Sequence, residues 1–330
     1  MILSEIRNDS SGITASGRAG KEAFWSIDNE GVLSIGGCGQ MAKMYSVTDN
    51  YNLWTYYPNN CCDYKKYVKK AVVENGITSI NGFAFEYMPL LTEVYLPATL
   101  ESIDEEYVMP YGPGCFYGSE NLEKIVVEPD KNNRYFSLDG VLYGDFYHNG
   151  KISLICYPPS KAGDTYIAPD FVDRIHTLAF SSVKNLKTII YPENVESSYY
   201  QPYARAYSIK DVYIYNRSFS AGDYIFGGGL QNATVHSYRN SDIEDYYTIA
   251  KVNFQPFCEG IHYGGKASCT SRAVCLDCGE EYGSMLSHYD GDGDGKCDSC
   301  SDDMVKIGTF AERIKAFFDK ILRFFESLFR

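Results

Sequence analysis

Positive charge is scarce in this sequence, and long apolar runs are missing. The 330 residues carry 30 lysines and arginines against 43 aspartates and glutamates, which gives a net charge of −13. Nucleic-acid binding needs basic surfaces that displace counterions, so no nucleic-acid partner is expected, and anionic membrane surfaces are disfavoured for the same reason. A membrane-spanning helix needs about 18 or more consecutive apolar residues. None of the apolar runs reaches that length, so no transmembrane span is expected.

Catalytic motifs are missing as well. The sequence has no G-x-S-x-G, no H-E-x-x-H, no P-loop and no dinucleotide-binding fingerprint. The glycines at 227–229 form a lone flexible stretch, which is more typical of a turn than of a phosphate site. His148, His176 and His236 stand apart from other candidate groups, and His176, which follows the apolar Ile175 of the repeat, is interpreted as a surface or structural histidine. We therefore predict a protein that is not an enzyme and has no catalytic residues.

The middle of the chain contains a repeat. Seven apolar or proline positions of segment 72–104 recur at one constant offset in segment 166–195. This pattern is typical of a leucine-rich repeat solenoid, whose units span roughly 20 to 29 residues. One turn cannot cover its own apolar face, so stacked turns share a continuous core. The paired positions are Ile80 and Ile175, Ala84 and Ala179, Phe85 and Phe180, Leu91 and Leu186, Val94 and Ile189, Pro97 and Pro192, and Leu100 and Val195; a displaced copy holds Phe116, Leu122, Ile125, Val127 and Pro129.

The same pattern divides the chain into four predicted parts. The front alternates apolar and polar residues around the turn Asp28-Asn29-Glu30-Gly31, which indicates a hairpin. The Asp-Gly and Asn-Gly turns at 139–140 and 149–150 indicate a second hairpin region inside the repeat. The predicted parts are a β-rich N-terminal cap (1–70), a leucine-rich repeat solenoid of short strands and short helical turns with a β-hairpin insertion near 135–159 (71–250), a Cys/His-rich module (251–304) and an amphipathic helix (305–330).

The Cys/His-rich module concentrates six of the eleven cysteines together with two histidines. It contains two C-x2-C pairs, a spacing in which each tight turn presents two thiolates to one tetrahedral zinc ion. Structural zinc is therefore the predicted cofactor. The predicted metal ligands are Cys258, His262, Cys269, Cys275, Cys278, His288, Cys297 and Cys300.

Eight ligands are enough for two ions, and their grouping stays open. One grouping uses the compact set from His262 to Cys278, with Cys258 joining the ligands from His288 to Cys300. The other grouping joins the two C-x2-C pairs, as in a zinc ribbon. Disulfide bonds are the alternative to metal, since an exported protein favours oxidation. Disulfides leave the two histidines unexplained, so metal is favoured.

An aspartate run in the same module indicates calcium more weakly. Asp290, Asp292 and Asp294 match the first half of an EF-hand loop, with glycine at the sixth position. The twelfth position should be a bidentate glutamate, and here it is Ser301. A polar turn rich in Asp-Gly is therefore favoured over calcium binding.

The last segment, 305–330, predicts an amphipathic helix. Phe310, Ile314, Phe317 and Ile321 recur at helical spacing, and charged residues occupy the opposite face. Such a helix can pack on its own solenoid, mediate self-association or lie on a membrane surface.

The repeat unit A-F-x5-L-x-x-V-x-L-P-x-x-L, the opening FWSIDNEGVLSIGGCGQM and the insertion DGVLY…LICYPP resemble the BspA-like leucine-rich repeat proteins of bacteria. The resemblance covers residues 20–255, and the tail is similar to the cysteine-rich ends of some of these proteins. It implies a curved β-rich solenoid that is secreted or displayed on the cell surface and that recognises a protein or glycan in adhesion. The alternative is a structural spacer whose tail and terminal helix mediate anchoring or self-association. The first residues, MILSEIRNDSSG, lack the features of a secretory signal, so localisation rests on the resemblance.

Overall fold

The computed structural model describes residues 13–42, 64–82, 84–103, 115–130, 134–221, 225–226, 228–238, 241–244, 252–258, 262, 265–275, 280–289 and 296–300. The chain divides into two compact units, Met1–Phe257 and Cys258–Arg330. The first unit is a β-solenoid of about seven turns. Its helical content in the described residues is small, namely one 3₁₀ helix, Tyr64–Tyr67, and one turn of helix at 242–244.

The solenoid begins with an antiparallel three-stranded cap. The loop between the second and third strands is fixed by Asp28, whose carboxylate accepts hydrogen bonds from the backbone N–H groups of Glu30 and Val32, both at 2.9 Å. Gly31 in this loop has a φ of 87°, which glycine adopts without steric cost. The predicted front hairpin is therefore present. The strands are β1 Ile13–Arg18, β2 Ala23–Asp28 and β3 Val32–Gly37.

Parallel strands then stack on the cap in two ladders. The strands are β4 Gly39–Gln40, β5 Lys70–Val73, β6 Ile77–Ile80, β7 Glu93–Leu96, β8 Ser102–Ile103 and β9 Lys124–Val127. One ladder continues the cap sheet in the order β1-β2-β3-β5-β7-β9, and the other has the order β4-β6-β8. Each turn contributes one strand to the first ladder.

The hairpin region in the middle starts a second pair of ladders. Its strands β10 Tyr135–Leu138, β11 Val141–Gly144 and β12 Ser153–Cys156 form an antiparallel meander. The third strand then pairs in parallel with the next repeat, so the insertion also forms the first turn of the second half of the solenoid. The remaining strands are β13 Thr165–Ile167, β14 Arg174–Ile175, β15 Thr188–Tyr191, β16 Ser197–Ser198, β17 Asp211–Ile214, β18 Ser220–Ala221, β19 Thr234–Ser237 and β20 Asn253–Pro256.

These strands complete two parallel ladders, β12-β14-β16-β18 behind the meander and β13-β15-β17-β19-β20. In the four-residue strands β15, β17 and β19 the side chains alternate between half-buried and buried. The buried positions point into the coil and the others point outward, because successive side chains of a strand face opposite sides. The register predicted from the repeat is confirmed, since Ile80, Leu91, Val94, Leu186 and Ile189 are all buried.

The alanine–phenylalanine pairs of the repeat fill the inside of the coil. Phe85 stacks on Phe116 of the next turn with ring centroids 5.6 Å apart, and Phe180 stacks on Tyr203 at 5.8 Å. The Tyr203 hydroxyl lies 2.7 Å from that of Tyr191, so each of these two buried phenols has a hydrogen-bonding partner. The core thus repeats its aromatic contacts from turn to turn.

Polar side chains also bond each turn to the one before it. Asn216 donates from Nδ2 to the carbonyl oxygens of Glu193 and Val195, at 2.8 and 3.1 Å. Asn194 donates in the same way to carbonyl oxygens of the preceding turn, those of Pro169 and Val172. These bonds satisfy carbonyl groups at the bends, where the ladders leave backbone groups unpaired.

Some predictions lie outside the described residues. They concern the amphipathic helix at 305–330, the aspartate run at 290–294, and Cys278. In the part of the chain that the structure describes, there is no helix long and apolar enough to cross a membrane.

Candidate functional site

The outward surface of the ladder β15-β17-β19-β20 carries a cluster of rings, which we call the aromatic face. It consists of residues on, or directly after, three neighbouring strands. The strand segment D-V-Y-I-Y places Val212 and Ile214 in the core and therefore turns Tyr213 and Tyr215 outward. The members of the aromatic face are Tyr213, Tyr215, His236, Tyr238 and Phe257.

The rings of the aromatic face pack closely against one another. The imidazole of His236 lies 4.2 Å from the Tyr213 ring with 7° between the planes, and Tyr215 lies 4.6 Å from Phe257 with 9° between the planes. Tyr238 meets Phe257 edge-on at 5.1 Å. None of these rings belongs to the buried core, and Tyr215 is exposed, so part of this aromatic surface lies open on the solenoid.

Charged groups border the aromatic face. Nε2 of His236 lies 2.9 Å from Oδ1 of Asp211 on the neighbouring strand. The guanidinium of Arg217 sits over the Tyr238 ring, 4.0 Å from its centroid, in cation–π geometry. A rigid patch of aromatic rings with one arginine and one carboxylate at its border is typical of surfaces that bind other molecules.

The outward row of the first ladder is charged instead. Nζ of Lys124 lies 2.8 Å from a carboxylate oxygen of Glu93, and Nζ of Lys70 lies 4.3 Å from the Tyr95 ring centroid. The hydrogen bond from Lys124 lowers the pKa of Glu93. These groups largely satisfy one another, so this row resembles an ordinary solvated surface.

The second compact unit, Cys258–Arg330, is called the Cys/His unit below. Its described part contains one antiparallel hairpin, β21 Ala273–Val274 and β22 Glu281–Tyr282. The backbone N–H of Cys275 donates to the carbonyl of Glu280 at 2.8 Å, which closes the hairpin next to the cysteine. Gly265 has a φ of 67° and lies against the Val274 backbone, where a Cβ would overlap the carbonyl oxygen.

Four candidate ligands form one cluster in this unit. The ligand atoms of Cys269, His288, Cys297 and Cys300 all lie within 4.8 Å of one another. The sulfurs of Cys269 and Cys297 are 3.7 Å apart, and Nδ1 of His288 is 3.4 Å from the sulfur of Cys300. With metal–sulfur bonds of about 2.3 Å, tetrahedral sulfurs are separated by roughly 3.8 Å. The cluster therefore has the size of a metal-binding shell.

Three further ligands form a second cluster. The ligand atoms of Cys258, His262 and Cys275 also lie within 4.8 Å of one another. The Cys258 sulfur is 3.2 Å from both the Cys275 sulfur and Nδ1 of His262. The His262 ring stacks on Tyr282 of β22 with centroids 5.2 Å apart, which orients the imidazole.

Backbone hydrogen bonds hold the four-ligand cluster together. Leu286 donates its N–H to the carbonyl of Ser268 at 2.8 Å, which brings the segment before His288 beside Cys269. Backbone N–H groups, foremost that of Ser299, lower the pKa of the Cys297 thiol to about 6. A thiol that ionises readily is a better metal ligand, because the thiolate is the form that binds.

The structure thus places seven of the eight predicted ligands in these two clusters, and Cys278 lies outside the described residues. The partition matches neither grouping considered from the sequence, because Cys269 joins the later ligands and Cys258 joins His262 and Cys275. Every cysteine in the described part of the chain is free of a disulfide bond. The aromatic face was not predicted from the sequence, although the alternation in DVYIY was a usable signal.

The stacked parallel ladders and the inward repeat positions define a leucine-rich repeat solenoid. The family model of the BspA type leucine-rich repeat region matches this chain in six copies, over residues 55–137 and 159–257. The matches span more than half of the sequence, so the chain belongs to the BspA type leucine-rich repeat family.

Solved structures that match this chain come from several bacteria. A leucine-rich repeat protein from Eubacterium ventriosum is 21% identical, with 73% of this chain and 72% of that chain covered and a TM-score of 0.32. The pneumococcal vaccine antigen PcpA is 14% identical, with 67% and 81% covered and a TM-score of 0.32. A leucine-rich cell surface protein from Faecalibacterium prausnitzii is 12% identical, with 74% and 95% covered and a TM-score of 0.32. Comparison with curated protein sequences finds no match.

Proposed function

We propose that this protein is a non-enzymatic binding module that recognises its ligand through the aromatic face. The observation that carries the proposal is the packed set of outward rings on β17, β19 and β20. Aromatic rings held rigidly on a sheet lose little conformational entropy when they bind, so they contribute strongly to affinity. Membership of a repeat family commonly associated with adhesion or binding supports the same conclusion.

A protein ligand fits this surface better than a glycan. Sugars stack on the open faces of aromatic rings, whereas Tyr213 and His236 each have one face covered by the other, as do Tyr215 and Phe257. The stacked rings therefore offer fewer open faces, together with edges and hydroxyl groups. Edges with a neighbouring arginine and aspartate suit the mixed polar and apolar surface of a protein.

The test is binding of the labelled full chain to a panel of purified extracellular proteins and to a glycan array. We expect binding to a protein that weakens at least about tenfold in the double variant Tyr213→Ala/Tyr215→Ala. Tyr207→Ala is the matched control, because Tyr207 is an exposed tyrosine outside the aromatic face. Equal losses in both variants, or binding to glycans alone, would contradict the proposal.

We also propose that the Cys/His unit binds zinc as a structural ion. Thiolate and imidazole ligands at tetrahedral separations suit zinc, whereas calcium prefers oxygen ligands. A small unit with few buried apolar side chains needs such a cross-link to fold. Total metal analysis and a free-thiol count on the purified chain test this proposal. Absence of zinc together with paired tail cysteines would favour disulfides instead.

We propose that the chain is secreted or displayed on the bacterial cell surface. This proposed localisation rests on the family to which the chain belongs. Labelling of intact expressing cells with an antibody to the solenoid tests this placement. Labelling only after the cells are permeabilised would contradict it.

A further inference from the structure

We propose that the Cys/His unit holds two zinc ions in two interleaved sites. The inference rests on the zinc binding proposed above and adds the number of ions and the assignment of their ligands. One ion takes Cys269, His288, Cys297 and Cys300; the other takes Cys258, His262 and Cys275.

The number of donors requires two ions. The first cluster already supplies three sulfurs and one nitrogen, which complete a tetrahedral shell. Cys258, His262 and Cys275 form a separate set, whose ligand atoms lie within 4.8 Å of one another. Because the four ligands of the first cluster already fill one tetrahedral shell, the second set needs its own ion.

The two sites are interleaved along the chain. The chain passes from His262, in the three-ligand cluster, to Cys269, in the four-ligand cluster. It returns to the three-ligand cluster at Cys275. The reversal at Cys269 is stabilised by Ser268, whose hydroxyl accepts hydrogen bonds from the N–H groups of Thr270 and Ser271 at 3.2 and 2.9 Å. The segment between His262 and Cys275 is therefore fixed at both ends by one ion and in its middle by the other.

Interleaving makes the two sites depend on each other. Loss of the Cys269 ligand frees the middle of the segment that joins His262 to Cys275, so the second ion is held by a longer unconstrained loop. Ordering a longer loop costs more entropy. Consecutive sites, by contrast, would load and release their ions independently.

The experiment exchanges ligand types without removing ligands. The full chain is loaded with cadmium-113, a soft ion that replaces zinc in thiolate sites and gives one NMR resonance for each distinct site. Exchange of one histidine for cysteine, or of one cysteine for histidine, changes the donor set of a single site and moves its resonance. The four variants are His288→Cys, Cys269→His, His262→Cys and Cys258→His.

We expect two resonances in the parent protein. His288→Cys and Cys269→His should shift the same resonance most, and His262→Cys and Cys258→His should shift the other. A single resonance, or a result in which Cys269→His and His262→Cys act on the same resonance, would overturn the interleaved assignment while leaving zinc binding intact. A chain that takes up no metal would instead contradict the proposed zinc binding itself.

Discussion

The imidazole of His236 lies parallel to the ring of Tyr213, with the centroids 4.2 Å apart. His236 belongs to β19 and Tyr213 to β17, so the stack joins two turns of the solenoid on its outer surface. Asp211 holds the same imidazole through a 2.9 Å contact with Nε2. The backbone of the sheet thus fixes the spacing of the rings in the aromatic face.

The asparagine bonds between turns should contribute measurably to stability. Asn216→Ala removes the hydrogen bonds that Nδ2 donates to the carbonyls of Glu193 and Val195, and the one that Oδ1 accepts from the Ser218 N–H. It should lower the free energy of unfolding by about 1–3 kcal/mol. Asn232→Ala, at an exposed position, is the control and should change it by less than about 0.5 kcal/mol. Urea denaturation followed by circular dichroism measures both. Equal stability of the two variants would show that these bonds are replaced by water.

The repeat register predicts which leucines the fold requires. Leu186→Asp places a carboxylate at a position that is 1% exposed, and burying an unpaired charge should prevent the solenoid from folding. Leu186→Ala should fold but lose about 2–5 kcal/mol of stability. Leu138→Asp is the matched control, because Leu138 is 49% exposed. A Leu186→Asp protein that melts like the parent would contradict the register.

Buried His176 should make the solenoid less stable in mild acid. Burial lowers the pKa of its imidazole to about 4, from an ordinary value of 6.5, and Nδ1 contacts the carbonyl of Thr177 at 3.0 Å. The unfolded chain binds the proton at higher pH than the folded chain does. The free energy of unfolding should therefore fall as the pH drops from about 6.5 to about 4, in total by on the order of 3 kcal/mol.

A second group acts in the opposite sense over an overlapping range. Burial raises the pKa of Glu86 to about 7, so the folded chain keeps that proton longer and stability falls as the pH rises from about 4.5 to about 7. The measurement is therefore the difference in the free energy of unfolding between the parent and His176→Gln at each pH. That difference should change steadily between about pH 6.5 and pH 4, and a constant difference would show that His176 is not the titrating group.

The Cys/His unit should depend on a single glycine. Gly265→Ala forces a side chain into a backbone with φ of 67° and against the Val274 carbonyl, so the zinc that we propose for this unit should be lost faster to a competing chelator. Gly283→Ala is the matched control, because Gly283 has a φ of 71° and open space around it. The control should lose only about 1 kcal/mol of folding stability, which is the cost of placing a Cβ on a backbone with positive φ. Similar zinc-release rates in the two variants would argue against the close approach at Gly265.

Much of the solenoid was predictable from the sequence, because its contacts repeat. Every turn buries the same positions of the repeat. Once Val94 is correctly aligned with Ile189, the burial of the other equivalent positions in the two segments can be predicted as well. The turns were predictable for a local reason, since Asp139 and Gly140 both adopt positive φ in the meander, at 51° and 76°. The meander's second role, as the start of a new parallel ladder, depends on pairing between distant strands and has no local signal.

The residue types of the Cys/His unit, with their spacing, indicated metal ligands, and the repeat period determined the solenoid and its inward face. Only the tertiary structure decided which ligands share a cluster. The chain reverses at Cys269, and that reversal depends on hydrogen bonds such as Leu286 to Ser268 between residues far apart in sequence. The aromatic face was decided in the same way. Its tyrosines stand in the sequence as alternating residues, but the stack of Tyr213 on His236 exists only because parallel pairing sets β17 beside β19.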